Sequence, residues 1–384
     1  MALKVSQRGL VPAFMVMEVM QAAADRTASG RDVLHLEVGQ PGTAAPQGVR
    51  EASKRAIDIE KLGYTVALGI DPLREAIASH YRQSYGVTVR PENVVATTGS
   101  SGGFLLSLLA CFDPGDRVAL AEPGYPCCRN ILMALGLEPV ALPVDHNSRF
   151  QPTVAMLEAL DEPIDGLIVA SPSNPTGTMV SRDDLAALSA HCSANGIRLI
   201  SDEIYHGVSY GMEATTVASI NPDAVVINSF SKYFSMTGWR IGWMVVPDNL
   251  LKPIERLAQN FFISPPTLSQ HAAVAAFDCH DELQANIAVY TANRELLLDA
   301  LPKAGLTKLS QADGAFYIYA DISDLSDDSQ AFCKAILDHT GVAITPGLDF
   351  DPVRGHRSVR ISFSGPTEDM AEAARRLGDW IKVR

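Results

Sequence analysis

One lysine stands out because of the residue types placed around it. Lys232 lies in a stretch that opens with Ser229, continues through Ser231 and ends, eight residues after the lysine, at Arg240. The stretch follows the apolar segment 225–228, and a strand there would bring its polar groups to the carboxyl edge of a sheet, where open α/β sheets bind ligands. Its hydroxyls and guanidinium suit a phosphate, and the flanking aromatic residues favour a neutral, nucleophilic amine. The stretch therefore predicts a reactive lysine beside an anion site rather than a solvated surface charge.

The glycine-rich stretch 99–103 is also a candidate for anion binding. It follows a predicted strand at 94–98 and leads into a predicted helix at 103–112. Backbone N–H groups and the positive end of the helix would face an anion there. The stretch is neither G-x-G-x-x-G nor a P-loop, which argues against a nucleotide site. On its own, a plain glycine-rich turn explains it equally well.

Three other predicted strands are each followed by a residue that could reach the same crevice. Tyr125 offers a flat aromatic face, Asn174 lies in the stretch S-P-S-N-P-T-G, and Asp202 is an acid directly after an apolar run. Each also has an ordinary explanation, namely a core cap, an Asn-Pro turn and a helix N-cap. Because successive parallel strands end at one edge of a sheet, we expect their terminal groups to meet.

Arg360 is unusual because it lies inside the apolar stretch 358–363. A buried arginine needs a partner, and its fork of N–H donors suits a carboxylate held by two hydrogen bonds. The nearby Arg354 and Arg357 are expected to be solvated. Arg360 is thus a candidate carboxylate ligand.

The segments that position these residues alternate between short apolar runs and helical patterns, which implies a mostly parallel sheet with helices on both faces. The predicted strands are 94–98, 117–121, 167–170, 197–201, 225–228 and 241–246. A helix at 181–195 has Ser181 and Asp184 in capping-box spacing and ends at Gly196. Another opens at Asp71, which suits the N-cap, and Pro72, which suits the first turn.

The two ends of the chain have a different pattern. A helix at 14–29 and a strand at 34–38 come first, and mixed helices and strands follow residue 286. We expect residues 46–285 to form a large domain and residues 286–384 a small α+β domain, with residues 1–45 packing on the small one.

Composition limits the possible functions of this 384-residue chain. Its formal charge of −13 argues against nucleic acid and anionic membranes as partners. Neither a membrane-length apolar run nor a signal peptide is apparent, so we expect a cytoplasmic protein. None of the six cysteines forms a C-x-x-C pair, and we expect reduced thiols and no metal site.

The string S-x-S-K, followed by the arginine of G-W-R, resembles the Schiff-base signature of class I/II pyridoxal-phosphate-dependent aminotransferases. This is the fold-type I family of the aspartate aminotransferase superfamily, and its other landmarks occur in order along nearly the whole chain. The resemblance implies a large α/β domain with a mostly parallel, seven-stranded sheet, and a smaller α+β domain built from both chain ends. It also implies pyridoxal 5′-phosphate (PLP) as cofactor, bound as a Schiff base to Lys232.

The resemblance assigns a role to each candidate residue. The cofactor phosphate would be bound by Ser100, Ser101, Gly102, Ser229, Ser231, Arg240 and, from the other chain of a homodimer, Tyr64. The cofactor ring would be contacted by Tyr125, which stacks on it, Asp202, which faces its nitrogen, and Asn174 and Tyr205, which bond its O3′ oxygen. The substrate carboxylate would be bound by Arg360, Asn174 and the backbone of Gly39. An acid beside the pyridine nitrogen keeps it protonated, as an electron sink requires.

The implied activity is the transfer of an amino group from an amino acid to a 2-oxo acid by a ping-pong mechanism. Lys232 would act as the base that takes the α-proton. A PLP-dependent C–S or β-lyase of the same fold would share every cofactor contact, so this alternative stays open. The N-terminus has neither the length nor the basic charge expected of a DNA-binding domain, which disfavours a PLP-sensing transcription regulator. The resemblance implies a base, an acid facing the ring nitrogen and a ligand for the substrate carboxylate. The presence of all three disfavours a non-enzymatic binding module.

Substrate choice depends on the side-chain pocket. One branch of the family has a second arginine for dicarboxylic substrates downstream of the lysine, and the comparable stretch 260–269 has none. Phe14, Phe261 and Phe262 are expected to line the pocket. These features favour an apolar or aromatic amino donor.

Overall fold

The computed structural model describes residues 3–383. The helices are α1 (Met15–Ala28), α2 (Gln47–Ile59), α3 (Asp71–Tyr85), α4 (Gly99–Cys111), α5 (Pro126–Leu135), α6 (Val154–Glu158), α7 (Arg182–Asn195), α8 (Asp248–Phe261), α9 (Thr267–Val274), α10 (His280–Lys303), α11 (Ser329–Thr340) and α12 (Thr367–Lys382). The strands are β1 (Leu34–His35), β2 (Val94–Thr97), β3 (Arg117–Glu122), β4 (Glu138–Pro143), β5 (Gly166–Ala170), β6 (Arg198–Asp202), β7 (Val225–Ser229), β8 (Gly242–Val245), β9 (Lys308–Leu309), β10 (Tyr317–Asp321), β11 (Val342–Ala343), β12 (Thr345–Pro346) and β13 (Ser358–Ser362).

The largest sheet has seven strands in the order β2-β8-β7-β6-β5-β3-β4. β8 is antiparallel to both of its neighbours, and every other pair of adjacent strands is parallel. β5, β6 and β7 are buried almost throughout, which is why they are continuous apolar runs rather than alternating ones. The prediction of a mostly parallel α/β sheet is confirmed.

Six of the seven strands coincide with predicted segments to within one residue at either end. The seventh, β4, was not among the predicted strands. It lies at the edge of the sheet, is mostly half-buried or exposed, and contains Pro139 and Pro143. Prolines are tolerated on an edge strand because no further strand needs their N–H groups, but they remove the sequence signal of a strand.

The helix ends match the sequence in part. Ser181 caps α7 by accepting a hydrogen bond from the backbone N–H of Asp184, and Gly196 ends the helix in the left-handed conformation, as predicted. The prediction for α3 is wrong by one residue, since Ile70 is its N-cap and Asp71 lies in the first turn without a side-chain cap. α4 begins at Gly99 rather than at residue 103, so the glycine-rich stretch forms its first turn.

The remaining strands form two smaller sheets. One is antiparallel in the order β12-β13-β10-β9, and in the other β1 pairs in parallel with β11. The N-terminal β1 therefore pairs with a strand from the C-terminal part of the chain. α10 begins at His280 and runs through the expected boundary between residues 285 and 286, so the domain limits stay a prediction. Within residues 3–383, no helix combines the length and apolarity needed to cross a membrane.

Candidate active site

A cavity of about 720 Å³ lies where β5, β6 and β7 end. The predicted site residues that line it are Gly39, Ser100, Ser101, Tyr125, Asn174, Asp202, Tyr205, Ser231, Lys232, Arg240 and Arg360. They come from the first turn of α4, from the loops after the strands, from β13 and from the N-terminal segment. The fold thus brings residues that are up to 321 positions apart, from Gly39 to Arg360, into one crevice.

Three predicted site residues do not line the cavity. Gly102 is buried in α4, and a Cβ atom there would lie 2.5 Å from Thr98 Oγ1, so this glycine permits close packing. Ser229 is buried behind Ser231, whose Oγ accepts a 2.9 Å hydrogen bond from Ser229 Oγ. Tyr64 is 83% exposed and lies at the surface of the single chain.

Lys232 follows β7 and projects into the cavity. Burial, and then the charge of Arg360, lower its pKa to about 8. Asp202 opposes this shift but does not cancel it. The Nζ atom donates a 2.6 Å hydrogen bond to the carbonyl oxygen of Gly39 and lies 5.6 Å from the centre of the Tyr205 ring. A buried amine with a lowered pKa is available in its neutral form near neutral pH, as a nucleophile or base must be.

Asp202 ends β6 and is buried at the floor of the cavity. Burial raises its pKa to about 7, against the opposing effects of the Ile204 N–H group, 3.2 Å from Oδ1, and of Lys232. A carboxylate buried without a salt-bridge partner is unfavourable by itself. It is well suited to a ligand that brings a positive charge, such as a protonated pyridine nitrogen.

The first turn of α4 and Arg240 form an anion cradle. Gly99 has φ +74°, and a Cβ atom on it would lie 2.7 Å from Arg240 Nη2. The guanidinium therefore packs directly against the start of the helix, and only glycine leaves room for it. Arg240 donates a 2.9 Å hydrogen bond to the Thr237 carbonyl, and Ser100, Ser101 and Ser231 line the same part of the cavity. This set of N–H, hydroxyl and guanidinium donors fits a phosphate dianion.

Arg360 is a buried cation with neutral partners. It is 2% exposed and donates hydrogen bonds to Asn174 Oδ1 at 3.0 Å, to Thr345 Oγ1 at 3.3 Å and to the Glu37 carbonyl. Its guanidinium lies between the rings of Tyr317 and Phe350, with its central carbon 4.6 and 4.8 Å from their centres. Its Nε atom has no hydrogen-bond partner, and no carboxylate in residues 3–383 forms a salt bridge with it. A buried guanidinium without an ionic partner among the described residues is suited to a carboxylate ligand.

Tyr317 is a cavity residue that sequence reasoning missed. Its hydroxyl lies 2.6 Å from that of Tyr205, and a Cβ atom on Gly39 would lie 2.2 Å from it. In the sequence it is one residue of the mostly apolar stretch 316–322, with nothing nearby to set it apart. Only the pairing of β10 with β13 brings it beside Arg360.

Only one of the three residues expected to line the pocket for the substrate side chain lines the cavity. Phe14 lines the cavity, edge-on to Tyr125 with the ring centres 6.0 Å apart, and Met17 and Met20 of α1 line it too. The expectation that Phe261 and Phe262 line it is wrong for the single chain. They lie at the end of α8, where Phe261 is 55% exposed and Phe262 packs against the core.

Comparison with known proteins places these features in a family. The family model described as aminotransferase class I and II matches residues 31–377. The chain belongs to this family. Its relatives include a valine–pyruvate aminotransferase of Mycobacterium tuberculosis, 53% identical with 98% of each chain covered. A (5-formylfuran-3-yl)methyl phosphate transaminase of Methanocaldococcus jannaschii is 32% identical with 96% of each covered.

Solved structures of the family have the same fold. An aminotransferase from Mycobacterium tuberculosis superposes with a TM-score of 0.98 at 53% identity over 100% of both chains. The aspartate aminotransferase of Thermus thermophilus with maleate gives 0.92 at 29% identity, over 98% of this chain and 100% of that one. This protein is therefore an aminotransferase of fold type I. It depends on PLP and transfers an amino group from an amino acid to a 2-oxo acid.

Proposed function

We propose that this aminotransferase uses an aliphatic α-amino acid of about valine's size as donor and pyruvate as acceptor, by a ping-pong mechanism. The observation that carries the proposal is the side-chain wall of the cavity. Phe14, Met17 and Met20 form it, with Val16 and Val38 beside them. Among the described residues, the cations that line the cavity are Lys232, Arg240 and Arg360, which leaves no cation for a second carboxylate. The name of the 53% identical relative, a valine–pyruvate aminotransferase, supports the same choice.

Different residues of the cavity are assigned to cofactor binding and to proton transfer. When bound, PLP supplies the electron sink for the carbon that loses its proton. Lys232 would be both the covalent attachment point and, once released, the base that moves the α-proton, since burial and the charge of Arg360 lower the pKa of its amine to about 8. Asp202 would keep a proton on the pyridine nitrogen by charge pairing. Tyr205 and Asn174 would donate to the ring oxygen, and Tyr125 would lie against the ring.

The substrate is oriented by its carboxylate. Arg360, supported by Asn174 and the backbone of Gly39, binds that group and leaves the amino group beside Lys232. The phosphate end of the cofactor would be held by the first turn of α4 and by Arg240 with Ser231, while Ser229 supports Ser231 by a hydrogen bond. Gly102 supports the same turn by its close packing on Thr98.

The active form is proposed to be a homodimer in which Tyr64 reaches the partner's phosphate site. Support comes from exposed apolar side chains in two neighbouring loops, Tyr64 and Val66 in one and Ile263 in the other. Hydrogen bonds tie the two loops together, since the Gly63 carbonyl accepts from Thr267 Oγ1 at 2.6 Å and Ser264 Oγ accepts from the Thr65 N–H at 3.4 Å. Exposed apolar surface of this kind marks interaction sites.

Two further proposals concern the chain as a whole. We retain the division into residues 1–45, 46–285 and 286–384, which the separate small sheets support. A cytoplasmic location is supported by the cysteines, all six of which are free.

A panel of amino donors with pyruvate and 2-oxoglutarate tests the proposed substrates. Valine and similar aliphatic donors with pyruvate should give the highest kcat/KM. A preference for aspartate or glutamate as donor would refute the proposal that the pocket accepts an aliphatic side chain. The same assay without any acceptor separates transfer from elimination, because transfer stops at one turnover with pyridoxamine phosphate formed. Continuous release of ammonia would instead indicate a lyase.

A further inference from the structure

Two buried phenols meet at the floor of the active-site cavity. The hydroxyls of Tyr205 and Tyr317 are 2.6 Å apart, and both side chains are almost completely buried. Within residues 3–383, neither hydroxyl has another hydrogen-bond partner. The two hydroxyls share one hydrogen bond, so only one of the two hydroxyl hydrogens is used within the pair.

Tyr317 also contacts the groups that bind the substrate carboxylate. The guanidinium carbon of Arg360 lies 4.6 Å from the centre of its ring. On the other side, the Tyr317 hydroxyl occupies the place where a side chain at residue 39 would begin, so Gly39 has no room for a Cβ atom. Tyr317 thus lies between the carboxylate site and Tyr205.

The direction of the hydrogen bond follows from the acidity of the two phenols. Burial raises the pKa of both, and the positive charge of Arg360 opposes this at both. Tyr317 is the phenol against which the guanidinium packs, with its central carbon 4.6 Å from the ring centre, and Arg360 is the main opposing influence there. At Tyr205 the neighbouring Tyr317 raises the pKa further. Since the stronger acid is the better donor, Tyr317 donates and Tyr205 accepts. The hydrogen of Tyr205 is then free to point into the cavity that both residues line.

We propose that Tyr317 is a positioning residue that donates its hydrogen to Tyr205 and thereby aims the Tyr205 hydroxyl at the ring oxygen of the bound cofactor. The inference rests on the role proposed above for Tyr205. Hydrogen bonds in a chain polarise one another, so a Tyr205 hydroxyl that accepts from Tyr317 is also a stronger donor. A stronger donor stabilises negative charge on the cofactor oxygen and lowers the pKa of the bound chromophore.

Substitution Tyr317→Phe in the cofactor-loaded enzyme tests this inference. It removes the hydroxyl and keeps the ring against Arg360. The pH titration of the visible spectrum should shift to a higher apparent pKa by about half a unit to one unit, the equivalent of one neutral hydrogen bond. kcat should fall about two- to tenfold while the KM of the donor stays nearly constant, because the carboxylate site is intact. Tyr319→Phe is the matched control, since Tyr319 is a buried tyrosine of β10 outside the cavity, and it should change neither quantity.

A double-mutant cycle shows whether Tyr317 acts through Tyr205. Tyr205→Phe alone should raise the same apparent pKa, and adding Tyr317→Phe to it should have no further effect. If the two shifts add, Tyr317 acts independently, and the inference is overturned while the role of Tyr205 stands. If Tyr317→Phe produces no shift in the wild-type background, the inference is also overturned. If Tyr205→Phe itself produces no shift, the role proposed for Tyr205 fails, and the inference fails with it.

Discussion

Replacing Arg360 by lysine is expected to weaken binding of the substrate carboxylate while keeping the charge. In the structure the guanidinium is held by Asn174, Thr345 and the Glu37 carbonyl, its Nε has no hydrogen-bond partner among the described residues, and the residue lines the cavity. A lysine offers one compact donor group in place of the planar fork, so one of the two charge-assisted hydrogen bonds to the carboxylate is lost. Such a bond contributes about 1.5–3 kcal/mol, which corresponds to a decrease of about ten- to 150-fold in kcat/KM.

Two measurements test this expectation. Steady-state kinetics with valine and pyruvate give the loss in kcat/KM, and titration with isovalerate, which has the carboxylate but no amino group, gives the loss in binding. The visible spectrum of the bound cofactor reports the isovalerate titration. Arg357→Lys is the control, because Arg357 is exposed three residues earlier in the chain and should leave both values unchanged. A decrease of less than about threefold in both values for Arg360→Lys would refute the assignment of Arg360 as the carboxylate ligand.

Two further predictions concern the dimer and the buried acid beside Asp202. Coexpressed Lys232→Ala and Tyr64→Ala chains should regain about a quarter of wild-type activity. Half of the dimers are then mixed, and each mixed dimer has one intact site. If coexpression gives no gain over the separate variants, Tyr64 does not contribute to the partner's site. Burial raises the pKa of Glu203 to about 7, so the folded cofactor-free enzyme holds a proton that the unfolded chain releases above pH 4.5. The free energy of unfolding of the enzyme should therefore fall as the pH rises from about 4.5 to 7. Glu203→Gln should make this pH dependence shallower when the free energy is measured by urea titration. An unchanged pH dependence in the variant would contradict the raised pKa of Glu203.

The parts of the site that the sequence predicted are those that follow directly from a strand end. Asp202 and Lys232 come at or just after apolar runs, and parallel strands must deliver such residues to one edge of the sheet. The sequence identified Arg360 for a similar local reason, since a charge inside an apolar strand is costly without a partner. These are short-range signals, and each can be recognised without knowing which elements are neighbours.

The parts that the sequence did not predict depend on contacts between distant segments. Tyr317 is indistinguishable from a core residue until β10 pairs with β13. Asp349 accepts hydrogen bonds from the N–H groups of Met15 and Val16, more than 330 residues away, and so holds the start of α1 beside the cavity. Phe261 and Phe262 were misplaced for the same reason, because spacing along the chain does not show which way the end of α8 faces.

Covalent attachment of the cofactor to Lys232 can be measured by reduction with borohydride followed by peptide mass spectrometry. The reduced cofactor should be found on the peptide that contains Lys232, and Lys232→Ala should bind PLP without a covalent link and without the visible absorbance of the wild-type enzyme. A reduced adduct on a different lysine in the wild-type enzyme, or unchanged absorbance in Lys232→Ala, would contradict this attachment.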